Sequence, residues 1–156
     1  MRVRQQLVKL ISTFFYAGFF PLVPGTFASA IGVLIFYFLK DNLIASLSVT
    51  LFLVILGFLT CTEAEELFKE KDPKYIVIDE VSGMCLSLLF LPSYDYKVFI
   101  LGFLVFRIFD TLKPFPIGRI QDLKGGSGVM SDDLLAALYT NITLQLSFRF
   151  ITFKGS

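Results

Sequence analysis

The sequence predicts a helical protein that enters a membrane, and three observations support this fold class. Hydrophobic residues make up 55% of the 156 residues and charged residues 17%, against about 45–50% and about 25% in ordinary soluble domains. Long apolar stretches alternate with short charged ones at spacings that suit helices. Residues 43–62 carry no charge, and their length matches the roughly 20 residues that cross a bilayer core of about 30 Å.

Each element follows from an apolar stretch and the break that ends it. The predicted helices are residues 4–17, 27–39, 43–62, 63–71, 76–91, 98–112 and 131–150. Pro and Gly supply several of the breaks, as in the segment 20–25 and at Pro114. Ser131 is the expected N-cap of the last helix, which would place Asp132 and Asp133 in its first turn. The helices over 27–39 and 81–91 are too short to cross a bilayer as straight spans.

The topology follows if the apolar stretches run back and forth. Residues 63–80 and 113–133 then share one side with the N-terminus, and residues 40–42 and 92–97 lie on the other side. Most Lys and Arg residues fall on the first side, which the positive-inside rule makes cytoplasmic. The two segments with the most charged side chains, residues 63–80 and 113–133, then share the cytoplasmic side, as one composite active site requires. A bilayer or a tight homo-oligomer would bury the excess of apolar surface in so short a chain.

Composition excludes several kinds of site. The chain has no His, so imidazole is absent as a metal ligand or general base. Its two Cys residues, Cys61 and Cys85, are too few for a structural zinc site and lie far apart in apolar stretches. A metal would therefore be a hard cation held by carboxylates. The net charge of +1 gives no overall attraction to nucleic acid.

Asp79 and Glu80 are the first candidate site residues. They follow three β-branched residues, 76–78, inside an apolar stretch. Carboxylates in such surroundings are costly unless they are paired or bind a cation. They are either caps at a solvated helix start or ligands of a divalent metal.

Arg107, Asp110 and Lys113 form a second group. Arg107 and Asp110 are spaced i, i+3 and share a helix face, as do Asp110 and Lys113. A helix ion pair at a membrane edge would explain them. The rest of that helix is very apolar, however, and ionisable groups in such helices usually serve a function.

Weaker signals come from three further segments. Lys124 precedes a glycine-rich stretch that leads to Asp132 and Asp133, and such a stretch lets backbone N–H groups approach a phosphate. Thr26 follows Pro24-Gly25 at a turn into a helix, and Glu65 lies on the charged helix. Taken together, several carboxylates with Arg and Lys on one side of an apolar protein suit metal-assisted phosphoryl chemistry.

The chain resembles the phosphatidylglycerophosphatase A family from about Phe14 to about Tyr139. Four motifs carry this resemblance through their order and spacing. They are Pro24-Gly25-Thr26-Phe27-Ala28-Ser29, Asp72-Pro73 leading into Ile76 to Gly83, Phe106 to Ile117, and Lys124 to Leu134. Ser82 departs mildly from the family pattern, where a second apolar residue is expected. The resemblance implies an all-α fold, a compact helical bundle formed by one domain over residues 1–156 and partly or wholly embedded in a membrane.

The resemblance also implies an activity. It is Mg²⁺-dependent removal of the terminal phosphate from phosphatidylglycerophosphate, which gives phosphatidylglycerol and inorganic phosphate. The expected location is the bacterial inner membrane, with a phospholipid substrate drawn from the cytoplasmic leaflet.

The predicted site assigns a role to each residue. Asp79, Glu80, Asp132 and Asp133 would hold Mg²⁺, with Glu65 and Asp110 as further ligands or bases. The phosphate would be neutralised by Arg107, Lys113 and Lys124, and Thr26 would donate a hydrogen bond or touch the metal.

Two mechanisms stay open at this point. Metal-bound water attacks phosphorus, or a carboxylate, with Asp110 as the first candidate, forms an acyl-phosphate. Two other functions also stay open. One is a small membrane transporter or lipid-binding protein that uses the same charges, and the other is a phosphatase for a soluble phosphate ester.

Overall fold

The computed structural model describes residues 2–154, with side chains described for residues 2–150. Within these residues the regular structure is helical throughout, which confirms the all-α prediction. The α-helices are α1 Val3–Ser12, α2 Pro24–Leu39, α3 Leu43–Phe68, α4 Ile78–Leu88, α5 Tyr96–Leu112, α6 Ile117–Ile120 and α7 Gly126–Lys154, and a 3₁₀ turn covers Ala17–Phe19.

Helix α4 lies at the centre of the bundle. It packs against α2, α3, α5 and α7, and Val81, Met84 and Leu88 are fully buried. Gly32 of α2 permits a close approach to α4, because a Cβ at this position would lie 2.9 Å from the carbonyl oxygen of Val81. The central position of α4 explains why nine of its eleven residues from Ile78 to Leu88 are buried and why its first turn is closed off from solvent.

Helix α3 joins two predicted helices into one. The uncharged span 43–62 and the charged segment after it form a single helix, which ends at Lys69 in a left-handed conformation with φ of 55°. Among the described residues, α3 is the helix long and apolar enough to cross a membrane by length and composition. Several of its large apolar side chains are exposed, including Leu51, Ile55 and Leu59.

Helix α7 begins earlier than the sequence suggested. It starts at Gly126, so the prediction of Ser131 as its N-cap is wrong. The Gly126 amide donates a hydrogen bond to Thr62 Oγ1 at 2.9 Å, and a Cβ on Gly126 would lie 2.5 Å from the Thr62 nitrogen. Contact with α3 therefore supports the first turn of α7, and Asp133 lies in its interior.

The first helix is shorter than predicted. Helix α1 ends at Ser12 rather than at residue 17, because Phe14, Phe15 and Tyr16 adopt positive φ angles. The break predicted over residues 20–25 is also shorter in the structure. Helix α2 begins at Pro24, and proline is a favoured residue at the first helical position.

Candidate active site

Asp79 and Glu80 occupy the first turn of α4. The β-branched residues before them act as an anchor, since Ile76, Val77 and Ile78 are buried. The Val77 amide also donates to the Ser12 carbonyl at 2.9 Å. This anchoring draws the start of α4 into the protein and carries the two carboxylates with it, so they are not a solvated helix start.

Asp133 of α7 completes a carboxylate triad with Asp79 and Glu80. One carboxylate oxygen from each residue lies within 4.8 Å of the other two. Asp79 Oδ1, Glu80 Oε2 and Asp133 Oδ2 are buried without a hydrogen-bond partner. Buried polar atoms are nearly always partnered. Three buried carboxylates this close together, each with an unpartnered oxygen, can therefore hold a hard divalent cation.

The electrostatics of the triad support the same interpretation. Burial raises the pKa of Asp79 well above its usual value, and the charges of Glu80 and Asp133 raise it further. Burial raises the pKa of Glu80 to about 7. The pKa of Asp133 is also raised well above its usual value, first by burial and then by the charge of Asp110. Three acids that resist ionisation together need either protons or a cation to neutralise them.

The N-terminus of α2 lies directly against Glu80. A Cβ on Gly25 would lie 2.2 Å from Glu80 Oε1 and 3.5 Å from Arg107 Nη1. A larger residue here would therefore displace the Glu80 carboxylate, whereas its contact with Arg107 would be an ordinary van der Waals one. Thr26 is the next residue of the same turn and is half-buried, which puts the first turn of α2 at the edge of the triad.

Arg107 and Asp110 form the ion pair that their spacing predicts. Arg107 Nη1 lies 2.6 Å from Asp110 Oδ2, and both side chains are largely buried. The same nitrogen also lies 3.4 Å from Ser29 Oγ. Arg107 therefore links α5 to the first turns of α2 while it holds a carboxylate near the triad.

Lys113 pairs with Asp132 and not with Asp110. Its backbone is left-handed, with φ of 43°, and this turns the chain out of the helical path at the end of α5. Lys113 Nζ donates to Asp132 Oδ2 at 2.5 Å, and Asp132 Oδ1 accepts from the Asp133 amide at 3.0 Å. Both oxygens of Asp132 are thus engaged, whereas each triad carboxylate has one buried oxygen without a partner.

Two of the predicted residues, Glu65 and Lys124, make their hydrogen bonds to residues away from the triad and its cation–carboxylate pairs. Glu65 Oε1 accepts the Asp72 backbone amide at 2.8 Å, so it supports a turn of the chain. Lys124 is exposed, and its carbonyl accepts the Ser127 hydroxyl.

Asp72 itself is a residue that the predicted site lacks. Its Oδ2 accepts from Gln121 Nε2 at 2.8 Å, and its charge contributes to the raised pKa of Asp132. The sequence feature that points to Asp72 is its position at the start of the Asp72-Pro73 motif.

The site thus combines three unpaired acids with two cation–carboxylate pairs. The triad offers a place for a divalent cation, and the Arg107 and Lys113 pairs hold positive charge near it. Positive charges of this kind stabilise a transferring phosphoryl group. The arrangement can therefore bind and activate a phosphate ester.

Comparison with known proteins agrees with this chemistry. The family model for phosphatidylglycerophosphatase A matches residues 10–148. A protein of Bacteroides thetaiotaomicron, provisionally named phosphatidylinositol-3-phosphatase, is 37% identical over 151 residues, covering 90% of this chain and 93% of the relative. No solved structure matches the chain significantly.

Two further relatives carry the family's own name. The phosphatidylglycerophosphatase A of Haemophilus influenzae is 33% identical, and the match covers 88% of this chain and 86% of the relative. The phosphatidylglycerophosphatase A of Escherichia coli is 35% identical, and the match covers 83% of this chain and 76% of the relative. With this family match over most of its length, the chain belongs to the phosphatidylglycerophosphatase A family.

Proposed function

We propose that this protein is a Mg²⁺-dependent lipid phosphatase that removes the terminal phosphate of phosphatidylglycerophosphate. The observation that carries the proposal is the set of three unpartnered, buried carboxylate oxygens of Asp79, Glu80 and Asp133. Family membership supplies the phosphate ester, and the triad supplies the cation site that such a reaction requires. The reaction consumes water and yields phosphatidylglycerol and inorganic phosphate.

Mg²⁺ fits the residues present. Its preferred ligands are carboxylate oxygens and water, and it demands no nitrogen or sulfur ligand. Asp79, Glu80 and Asp133 would hold it. When bound, Mg²⁺ would screen the phosphate charge and lower the pKa of a water molecule.

The other side chains act on the substrate itself. Arg107 and Lys113 bind the phosphate oxygens, and each is kept in position by its carboxylate partner. Thr26, at the start of α2, donates a hydroxyl hydrogen bond to the phosphate. Lys124 is exposed and attracts the anionic head group to the entrance.

Asp110 is the proposed reacting carboxylate. Its charge raises the pKa of both Glu80 and Asp133, which indicates that it stands close to the triad. It either attacks phosphorus or accepts a proton from an attacking water. A substrate made chiral at phosphorus with oxygen isotopes separates the two, because direct attack by water inverts the configuration at phosphorus and two successive displacements through Asp110 retain it.

We place the enzyme in the bacterial inner membrane with its site facing the cytoplasm. Helix α3 is long and apolar enough to cross a bilayer, and most Lys and Arg residues lie in segments on the same side as the site.

A phosphatidylinositol phosphate is the second candidate substrate. The observation in its favour is the 37% identity to the Bacteroides protein provisionally named phosphatidylinositol-3-phosphatase. Both lipids present a phosphate monoester beyond a phosphodiester, and the triad and its flanking cations suit either.

Phosphate release from purified protein tests these proposals. We expect release from phosphatidylglycerophosphate with Mg²⁺, little release from phosphatidylinositol 3-phosphate, and almost none from glycerol 3-phosphate. EDTA and the variant Asp79→Asn should each abolish the release. A preference for the inositol lipid would move the assignment to the second candidate. Full activity in EDTA would end the metal proposal, and equal turnover of glycerol 3-phosphate would favour a soluble substrate.

A further inference from the structure

Arg119 is a positive charge near the candidate active site that takes no part in its ion pairs. It is an exposed residue of α6, and its guanidinium lies over the Phe115 ring, 5.1 Å from the ring centre. Arg107 and Lys113 each pair with a carboxylate. Among the residues whose side chains the structure describes, no carboxylate lies within ion-pair distance of Arg119. Stacking on an aromatic face holds a guanidinium in place and leaves its N–H edge free for an anion.

Helix α6 folds back over the end of α5, where Lys113 lies. A Cβ on Gly118 would lie 3.3 Å from the Lys113 carbonyl oxygen. Arg119 is the next residue, about 3.8 Å further along the Cα trace. Ile117 is fully buried and fixes α6 to the core. The position of Arg119 beside Lys113 is therefore set by packing and not by an exposed loop alone.

The chain that leaves α6 is tied to the same part of the site. Gln121 Nε2 donates to Asp72 Oδ2 at 2.8 Å, and the charge of Asp72 contributes to the raised pKa of Asp132. Asp132 is in turn the partner of Lys113. Both ends of α6 therefore lie beside the pair of Lys113 and Asp132, and Arg119 stands between those ends.

The candidate substrates carry a second phosphate that needs a positive charge at this distance from the first. In phosphatidylglycerophosphate a phosphodiester follows the terminal phosphate after a single glycerol, and phosphatidylinositol 3-phosphate has one beyond its inositol ring. We infer that Arg119 binds this phosphodiester while Arg107 and Lys113 bind the terminal phosphate. The inference rests on the proposed function and deepens it, because Arg119 then selects lipids with two phosphates over lipids with a single phosphate monoester.

Phosphatidic acid provides the matched substrate, because it has a phosphate monoester and the same acyl chains but no phosphodiester. We expect Arg119→Gln to lower kcat/KM for phosphatidylglycerophosphate by about tenfold, the effect of one lost charge-assisted hydrogen bond. The kcat/KM for phosphatidic acid should be lower in the wild-type protein and should not change in the variant. An equal loss for the two lipids would mean that Arg119 attracts anionic lipid in general or supports the fold, and the inference would fail.

Lys97→Gln is the matched control variant. Lys97 also lies over an exposed aromatic ring, 5.8 Å from the centre of Tyr96. It is near the other end of α5, about 24 Å from Lys113 by the helix rise. Lys97→Gln should leave both substrates unchanged. The same selective loss in Lys97→Gln would mean that any surface cation produces the effect, which would also overturn the inference.

Calorimetry adds a measurement that needs no turnover. The probes are two unreactive phosphonates of glycerol in the presence of Mg²⁺, one with a methyl phosphodiester at the position that bears it in the substrate and one with a free hydroxyl there. The wild-type protein should bind the first about tenfold more tightly, the effect of one charge-assisted hydrogen bond, and Arg119→Gln should bind both alike. Equal affinities in the wild-type protein would contradict the inference. A clear affinity difference without phosphate release from phosphatidylglycerophosphate would instead contradict the proposed function.

Discussion

Lys113 Nζ lies 2.5 Å from Asp132 Oδ2, although 19 positions separate the two residues in sequence. Partial burial lowers the pKa of Lys113, but the hydrogen bond and charge of Asp132 outweigh it and raise that pKa overall. Burial raises the pKa of Asp132 despite the ammonium beside it. Asp132 is the more deeply buried partner, with 2% of its side chain exposed against 24% for Lys113. The pair ties the end of α5 to α7.

Removal of the lysine should affect both stability and activity. Lys113→Met leaves the Asp132 carboxylate buried without a counter-ion, which costs roughly 3 kcal/mol in the free energy of unfolding. It also removes a charge that binds phosphate, so kcat/KM should fall. Urea unfolding and phosphate release measure the two effects.

The double variant Lys113→Met/Asp132→Asn is the control. It removes the stranded charge, so most of the lost stability should return while the activity stays low. Recovery of activity in this variant would show that the pair serves the fold alone and that Lys113 does not bind substrate.

Some of the site could be predicted because its determinants are local. Asp79 and Glu80 are conspicuous as two acids inside an apolar stretch, and burial of such acids requires a compensating partner. The ion pair of Arg107 and Asp110 follows from the i, i+3 geometry of any helix. These features depend only on neighbours in sequence.

Other parts could not be predicted because they depend on contacts between remote segments. Helix α7 begins at Gly126 through its contact with Thr62 of α3. Local N-cap preference favours Ser131, and packing against α3 overrides that preference. Glu65 supports the backbone of Asp72 through a hydrogen bond between residues seven positions apart, and Asp72 lies beyond the end of α3, so the contact depends on how the chain turns back there.

Replacement of Arg107 by lysine should be severe although the charge is kept. Lysine has no planar fork, so its ammonium cannot reproduce the fixed, parallel N–H donors that arginine offers to Asp110 and to a phosphate oxygen. The loss of a charge-assisted hydrogen bond predicts a fall in kcat/KM of about 10- to 100-fold. The control is Ser29→Ala, whose hydroxyl lies 3.4 Å from Arg107 and which should keep most activity. Wild-type kinetics in Arg107→Lys would exclude a bidentate role.

The variant Gly25→Ala tests whether Mg²⁺ affinity depends on the position of the Glu80 carboxylate against α2. A Cβ at this position would lie 2.2 Å from Glu80 Oε1, so Gly25→Ala must displace the carboxylate. We expect Mg²⁺ affinity, measured by calorimetry, to fall by about tenfold or more, which corresponds to about 1.4 kcal/mol. Helix content should not fall, because alanine favours helix more than glycine does. Unchanged affinity would mean that Glu80 does not bind the metal.

Glu65→Gln separates two roles for Glu65. The amide oxygen of glutamine can still accept the Asp72 N–H, but it carries no charge for a metal. Because Glu65 Oε1 already accepts that N–H at 2.8 Å, we expect Glu65→Gln to keep its Mg²⁺ affinity. Glu65→Ala should lower stability by about 1 kcal/mol. A large loss of Mg²⁺ affinity in Glu65→Gln would make Glu65 a direct ligand.

The carboxylate triad predicts that the stability of the metal-free protein depends on pH. Burial raises the pKa of Glu80 to about 7, whereas an unfolded Glu has a pKa of about 4.3. Between these values the folded state binds more protons than the unfolded state, so the free energy of unfolding falls as pH rises.

Mg²⁺ should reverse this trend, because it replaces the protons that the acids lose. In EDTA, the urea concentration at the midpoint of unfolding should therefore fall as the pH is raised from about 5 to about 8. The stabilisation by Mg²⁺ should grow over the same pH range. Glu80→Gln should weaken the dependence, since it removes one titrating group of the triad. A midpoint in EDTA that rises with pH would mean that these carboxylates are stabilised by partners within the protein, and a cation would then have no vacant acceptors to bind.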